Sequence, residues 1–240
     1  MRCRRLRGRL VIELFSYPTL YGVVDNNPYG LKIYAFLKLC KLAFQHNHVF
    51  EAKNAPRGQL PYVVDDSEII GDSDAIVSHL TRKYRLSIDD SLSEAQRDIG
   101  HLIARTLDDL YWVMSYSRWR DPRFWPIFRD EVLRTHPSVT ASSIEAAQKY
   151  NFERYYYQGI GRYEPERVYE RGIADLRVMA NLIGESGFLF GPEPTAVDAA
   201  LYGFVANIYF YRIETPLKAF VSSRPELVRH CNTLHAAVTA

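Results

Sequence analysis

The sequence is poor in cysteine, in long apolar runs and in net charge, and each shortage argues against a class of protein. Its 240 residues include three cysteines, Cys3, Cys40 and Cys231, and no Cys-x-x-Cys pair. That count argues against a disulfide framework and a thioredoxin-type redox centre, and it is typical of a reducing cytoplasm. No stretch approaches the roughly 18 uninterrupted apolar residues that a membrane helix requires. We therefore expect a cytoplasmic protein without a membrane span.

The formal net charge of +2 combines a basic leader with a slightly acidic body. Five of the 30 basic residues are arginines within the first nine positions, which leaves 25 basic against 28 acidic residues in the rest. Because a nucleic-acid-binding domain normally has a basic body, we predict no nucleic acid partner. For the Arg/Trp-rich segment 118–125 we therefore predict a helix end, with the tryptophans packed against the protein and the arginines in solvent. The leader lacks the apolar segment of a signal peptide, so an over-extended start or a disordered basic tip is expected. The seven histidines show no metal-ligand spacing, so no metal is predicted.

Hydrophobic patterning divides the chain into an α/β part and an all-helical part. The order in the first part is a strand at 10–15, a helix at 31–42, a strand at 44–50, a hairpin at 62–70 and a helix from Ser73. We predict a four-stranded mixed sheet with helices on both faces.

From Ser93 onward the pattern is helical throughout. Ser93 to Gln96 is a capping-box sequence, and further helices are predicted near Ser142, near Pro165 and at Thr195. The polar segment 85–91 is the expected linker, so the predicted domains are 10–85 and 93–240. Thr195 and Asp198 fit a reciprocal helix cap, which is a folding element.

Two short segments of the first domain are predicted to form one binding site. Pro61 opens a strand in a tight turn, which is the setting where a cis bond is retained, and the Leu60 backbone would face outward to pair with an extended chain. Asp72 and Ser73 begin a helix whose N–H groups attract a carboxylate. Together they indicate a receptor for a small, extended, anionic peptide. The alternative is a strand-opening proline followed by an ordinary helix cap.

These segments resemble the glutathione-binding half of the thioredoxin-like domain in glutathione transferases. Residues 56–66 and 71–73 carry that resemblance, and residues 188–203 are similar to the capping-box segment of the superfamily's helical domain. The chain looks most like the metaxin and failed-axon-connections branch, through segments 27–32, 110–119 and 158–162. The resemblance implies a thioredoxin-like domain followed by an all-α domain, a homodimer, and glutathione as co-substrate held by Leu60, Pro61, Asp72 and Ser73.

The reaction implied is attack of the glutathione thiolate on a hydrophobic electrophile. Lowering a thiol pKa of ~8.5 by about two units requires roughly 2.7 kcal/mol. One hydrogen bond to the charged sulfur supplies about 1.5–3 kcal/mol, and a helix N-terminus adds about 0.3–1 kcal/mol. The site therefore needs one donor near the start of the first helix.

Asn27 and Tyr17 are the two candidates for that donor. In the branch, this segment usually reads Ser-Pro-Phe-Cys before Leu-Lys, whereas Asn27 and Gly30 stand here in the serine and cysteine positions. Without the cysteine, we expect conjugation and not a mixed-disulfide mechanism. Asn27 either donates to the sulfur or only caps the helix, and Tyr17 is the second choice.

The aromatic segment 111–116 leaves a further choice open. Tyr111, Trp112 and Tyr116 either line a pocket for the electrophile or belong to the core. Metaxin resemblance also implies an alternative function, a non-catalytic adaptor in which the same fold recognises proteins. Binding of glutathione distinguishes the two.

Overall fold

The computed structural model describes residues 12–240 and, before them, the backbone of two short strands. β1 (Arg5–Leu6) and β2 (Arg9–Leu10) pair antiparallel as a separate two-stranded sheet. The predictions made for the side chains of the arginine-rich leader and for Cys3 lie outside the described residues.

A four-stranded mixed sheet forms the N-terminal part of the fold, as predicted. β3 (Ile12–Ser16) pairs parallel with β4 (Phe44–His48) and antiparallel with β5 (Tyr62–Asp65), and β6 (Glu68–Gly71) adds the fourth strand next to β5. Leu14 and Val63 are opposite each other in the register and are fully buried. Alternation along β3 and β5 therefore gives the sheet one strongly apolar face.

Two helices accompany this sheet. α1 (Pro28–Leu39) has Asn27 as its N-cap and Pro28 in the first helical position, where a missing N–H costs nothing. Asn27 was one of the residues expected at this helix start. α2 (Ser73–Tyr84) begins at Ser73 as predicted, and its N-cap residue is Asp72.

Both helices pack on the same face of the sheet, so the prediction of helices on both faces is wrong for the described residues. The Tyr34 ring of α1 contacts His46, which is paired with Leu14, and His79 of α2 hydrogen-bonds Asp65 at 2.9 Å. Leu14 is paired with Val63, so their side chains lie on the same face of the sheet. Asp65 is two residues after Val63 in β5 and therefore lies on that face as well. Between β4 and β5, only the 3₁₀ turn Pro56–Gly58 forms, because proline and glycine interrupt so short a segment.

The second part of the described chain is helical throughout, as predicted. Three of its helices were not predicted, and each has a proline in its first turn, a position that proline favours. The helices are α3 (Glu94–Trp119), α4 (Trp125–Thr135), α5 (Ala141–Gln158), α6 (Pro165–Leu182), α7 (Ala196–Tyr209), α8 (Pro216–Ser222) and α9 (Pro225–Thr239).

α1 and α7 pack directly against each other where the two parts meet. A Cβ on Gly203 of α7 would stand 2.4 Å from the carbonyl oxygen of Pro28, so only glycine lets the two backbones come this near. α7 is buried along most of its length, as expected for a helix that is apolar on nearly all sides. This contact fixes the start of α1 against the helical domain.

Candidate functional site

Asn27 lies at the start of α1, where the predicted sulfur donor is needed. Its Oδ1 accepts from the backbone N–H of Tyr29 at 3.0 Å, which makes it the N-cap of the helix. Residues 12–240 supply no hydrogen-bond partner for its Nδ2. The side chain is half-buried. It can therefore cap the helix through its oxygen and donate to a ligand through its nitrogen.

Asp25 occupies the space directly behind this cap and was not anticipated from the sequence. It is fully buried; its Oδ1 accepts from the Asn27 N–H at 2.7 Å, and Oδ2 has no partner within the described structure. Burial raises the pKa of this carboxyl to about 8. A Cβ on Gly30 would stand 2.0 Å from Asp25 Oδ2. The carboxyl thus fills the place of a side chain at position 30.

The helical domain holds this turn in place through three side chains. Arg118 donates to the Asn26 carbonyl at 2.8 Å and to the Asn207 carbonyl at 2.7 Å, and its guanidinium lies 4.1 Å from the Tyr211 ring centre. Tyr211 also donates to Asn26, and the Asn207 amide donates to the Asp25 carbonyl at 3.2 Å. Arg118 was expected to be solvated and is instead buried, because it bridges the two domains.

The predicted peptide-binding segments meet at one end of the β5–β6 hairpin. The Leu60–Pro61 bond is cis, as predicted. Tyr62 is paired with Gly71, so Leu60 and Ser73, each two residues beyond that pair, lie at the same end of the hairpin. Neither the N–H nor the carbonyl of Leu60 has a hydrogen-bond partner among residues 12–240. Both groups are thus unpaired within the described structure, on a residue that is itself buried.

The start of α2 is already capped by the protein itself. Asp72 Oδ1 accepts from the N–H groups of Asp74 at 3.0 Å and Ala75 at 3.2 Å, and its Oδ2 accepts from Arg57 at 3.1 Å. Asp72 is exposed, so its pair with Arg57 is a surface contact of little energetic weight. Its role here is to fix the helix start.

Lys32 supplies a cation at this helix start that sequence reasoning missed. It reaches from α1, its Nζ donates to Ser73 Oγ at 3.1 Å, and it forms an ion pair with Asp74. Both Lys32 and Ser73 are buried. Lys32 also lines a cavity of about 200 Å³ between the domains, together with Asp74, Val77, Gln96, Arg97 and Phe190. A lysine within an apolar helix gave no local signal of this contact.

The predicted aromatic residues divide between site and core. Tyr17 is half-buried, and burial, with Tyr111 and Asp25 nearby, raises its pKa to about 12, so its hydroxyl stays protonated at neutral pH. Tyr111 is half-buried with its ring centre 5.4 Å from that of Tyr29 in α1.

Trp112 and Tyr116 both contact Tyr155 in α5, but they differ in exposure. Trp112 is half-buried, at 5.9 Å between ring centres. Tyr116 is buried between Tyr155 and Tyr169. Of the two alternatives left open for Tyr116, its burial therefore favours the core.

Two absences hold for the part of the chain that the structure describes. Among residues 12–240, no group of three or more histidine, cysteine or acidic side chains is arranged to bind a metal ion. In the same range, no helix is both long and apolar enough to cross a membrane.

A thioredoxin-like sheet with a cis-proline before β5, packed on an all-α domain, defines the glutathione-transferase type of fold. Two family models of glutathione S-transferases also match this sequence. The model of the glutathione S-transferase N-terminal domain matches residues 28–124, and that of the C-terminal domain matches residues 172–234. The chain belongs to the glutathione S-transferase superfamily.

Two relatives of known name match most of this chain. The isoprene-epoxide glutathione S-transferase of a Rhodococcus species is 26% identical over 91% of this chain and 95% of its own length. Failed axon connections of Drosophila melanogaster is also 26% identical, over 93% of this chain, but the match spans only 57% of that longer protein. This second similarity is consistent with the predicted branch.

Solved structures show the same fold. A glutathione S-transferase from Methylobacterium radiotolerans, solved in complex with glutathione sulfonate, superposes with a TM-score of 0.62 at 16% identity, covering 95% of this chain and 92% of that one.

Proposed function

We propose that this protein is a glutathione transferase that joins glutathione to a hydrophobic electrophile. The proposal is based on one end of the β5–β6 hairpin. There, the unpaired backbone of Leu60 and the buried Lys32–Ser73 contact lie together. An extended peptide with a charged end matches both features. The relative from Rhodococcus, named as a glutathione S-transferase, covers nearly the whole chain and supports the same activity.

In the proposed complex, the cysteine backbone of glutathione pairs with Leu60 beside Pro61. The amino-acid end of the tripeptide carries a carboxylate and an ammonium group. Its carboxylate would bind the Ser73 hydroxyl and the Lys32 ammonium, and its ammonium would bind Asp74. Asp72 contributes indirectly, because it caps α2 and thereby fixes Ser73.

The sulfur would then lie at the start of α1. We propose that Asn27 donates from Nδ2 to the thiolate, with the helix N-terminus adding a smaller stabilisation. Tyr17 is the alternative donor, since its hydroxyl stays protonated. With Gly30 in the usual cysteine position, the expected activity is conjugation.

Calorimetric titration with glutathione tests the binding site. We expect Ser73→Ala to weaken binding about tenfold, because one hydrogen bond to a charged group is lost. Ser78→Ala, at an exposed position of the same helix, is the matched control and should bind like the parent protein. Unchanged affinity in Ser73→Ala would remove Ser73 from the site. An absence of heat with the parent protein at millimolar glutathione would contradict the proposed function itself.

A non-catalytic adaptor is the second candidate, and the similarity to failed axon connections favours it. In that case, the fold would serve protein recognition, and titration with glutathione would give no heat of binding.

A homodimer and a cytoplasmic location stay predictions within the proposal. Ile99 and Leu102, exposed three residues apart on α3, are apolar surface that a dimer would bury. Light scattering that gives the mass of one chain would contradict the dimer.

A further inference from the structure

Arg154 of α5 is a half-buried cation whose charge has no counterpart in the described structure. It forms no ion pair with residues 12–240, and its one hydrogen bond goes to the Asn151 side-chain oxygen at 3.2 Å. A guanidinium has five N–H donors in a planar fork that matches a carboxylate. Most of this donor capacity is unused.

Two aromatic rings flank this guanidinium, and further rings continue from one of them towards the start of α1. Its centre lies 5.1 Å from the Trp112 ring and 5.6 Å from that of Tyr150, which is 64% exposed. Trp112 contacts Tyr111 at 5.7 Å between ring centres, and Tyr111 contacts Tyr29. The rings thus connect solvent at Tyr150 with the helix end that carries Asn27.

We call Tyr111, Trp112, Tyr150 and Arg154 the aromatic–arginine cluster. It combines flat apolar surfaces with one unpaired positive charge.

We propose that this cluster selects electrophiles that are aromatic carboxylates, with the ring packed on the tyrosine and tryptophan faces and the carboxylate bound by Arg154. The inference rests on the proposed function, because it names the acceptor for the same glutathione site. An aromatic carboxylate can both stack on these rings and form a bidentate contact with the arginine. An uncharged aliphatic electrophile can form neither contact.

The reaction is a substitution without redox change. With 4-(chloromethyl)benzoate as the probe, the thiol proton passes to solvent and the thiolate sulfur attacks the benzylic carbon. The S–C bond forms as the C–Cl bond breaks, and chloride leaves with the bonding electron pair. The product is the glutathione thioether of the unchanged benzoate.

The test compares this acid with its methyl ester, which has the same reacting carbon but no charge. We expect the parent enzyme to favour the acid in kcat/KM, and Arg154→Met to lower the value for the acid by about tenfold or more while the ester changes little. Methionine keeps apolar packing against Trp112. Arg162→Met is the matched control, since Arg162 lies over the Tyr156 ring at 4.7 Å and forms no ion pair with the described residues. It should retain the preference for the acid.

A binding measurement separates this inference from the activity. By calorimetry, 4-methylbenzoate should bind the parent protein more tightly than neutral 4-methylbenzamide, and Arg154→Met should abolish the difference. If this holds while neither electrophile is converted, the conjugation proposal fails and the carboxylate site stands. If conjugation occurs with equal use of acid and ester, or if Arg154→Met lowers both alike, the inference is overturned and the transferase function stands. Equal binding of the two ligands by the parent protein also overturns it.

Discussion

At the scale of single residues, the absence of a side chain at position 30 has a steric reason. The Asp25 carboxyl occupies the space of the missing side chain, with Oδ2 only 2.0 Å from the position of an added Cβ. Asp25 cannot easily withdraw, because it is fully buried and held by the Asn27 N–H. Position 30 and Asp25 therefore form one structural unit.

We expect Gly30→Ala to lower the free energy of unfolding by about 1–3 kcal/mol, the usual cost of overpacking, although alanine favours a helix. In an Asp25→Ala background the same change should cost little, because the clash is gone. Denaturant unfolding of the four proteins measures this coupling.

Gly100→Ala in α3 is the control for helix propensity, since its Cβ would be 3.7 Å from the nearest atom. It should be neutral or stabilising. Equal costs of Gly30→Ala in both backgrounds would show that Asp25 is not the obstacle.

At the scale of elements, one buried cap organises the start of α7. Asp198 accepts from the Thr195 N–H and from Leu189 N–H, both at 2.9 Å, and from His230 Nε2 at 3.1 Å. Burial alone would raise the pKa of Asp198, but the hydrogen bonds from His230 and Thr195 outweigh it and lower the pKa. The cap therefore joins α7 to α9 and to the preceding loop.

Replacing both Thr195 and Asp198 by alanine should lower the melting temperature, with a loss of about 2–4 kcal/mol in unfolding free energy, because buried donors lose their acceptor. Glutathione affinity should be unchanged. The matched control is Thr140→Ala with Ser143→Ala, an exposed capping box at the start of α5, where about 1 kcal/mol is expected. Similar losses in both double variants would argue against the buried network.

Local signals were sufficient to predict many of these elements, and distant contacts explain the failures. The hairpin around Tyr62 and the capping boxes at Ser93 and Thr195 depend on neighbouring residues, and all three were predicted correctly. The site depends on partners far apart in sequence. Lys32 and Ser73 are 41 residues apart in the sequence, and Arg118 and Asn26 are 92 residues apart. Neither hydrophobic periodicity nor motif spacing predicts contacts between residues so far apart.

At the scale of the whole molecule, the proposed site depends on both domains. The α/β domain contributes Asn27, and the helical domain holds the turn before it through Arg118, Asn207 and Tyr211. Geometry at the start of α1 is therefore set by the packing of the two domains against each other.

The most direct test of the proposed chemistry is the pKa of the glutathione thiol when it is bound, titrated by the ultraviolet absorbance of the thiolate. We predict a value about two units below the ordinary ~8.5, as one donor and a helix N-terminus supply the roughly 2.7 kcal/mol required. Asn27→Ala should raise it towards 8.5, whereas Tyr17→Phe should leave it unchanged. The reverse pattern would assign the role to Tyr17. A bound thiol with no shift in the parent protein would contradict the transferase mechanism and favour the adaptor.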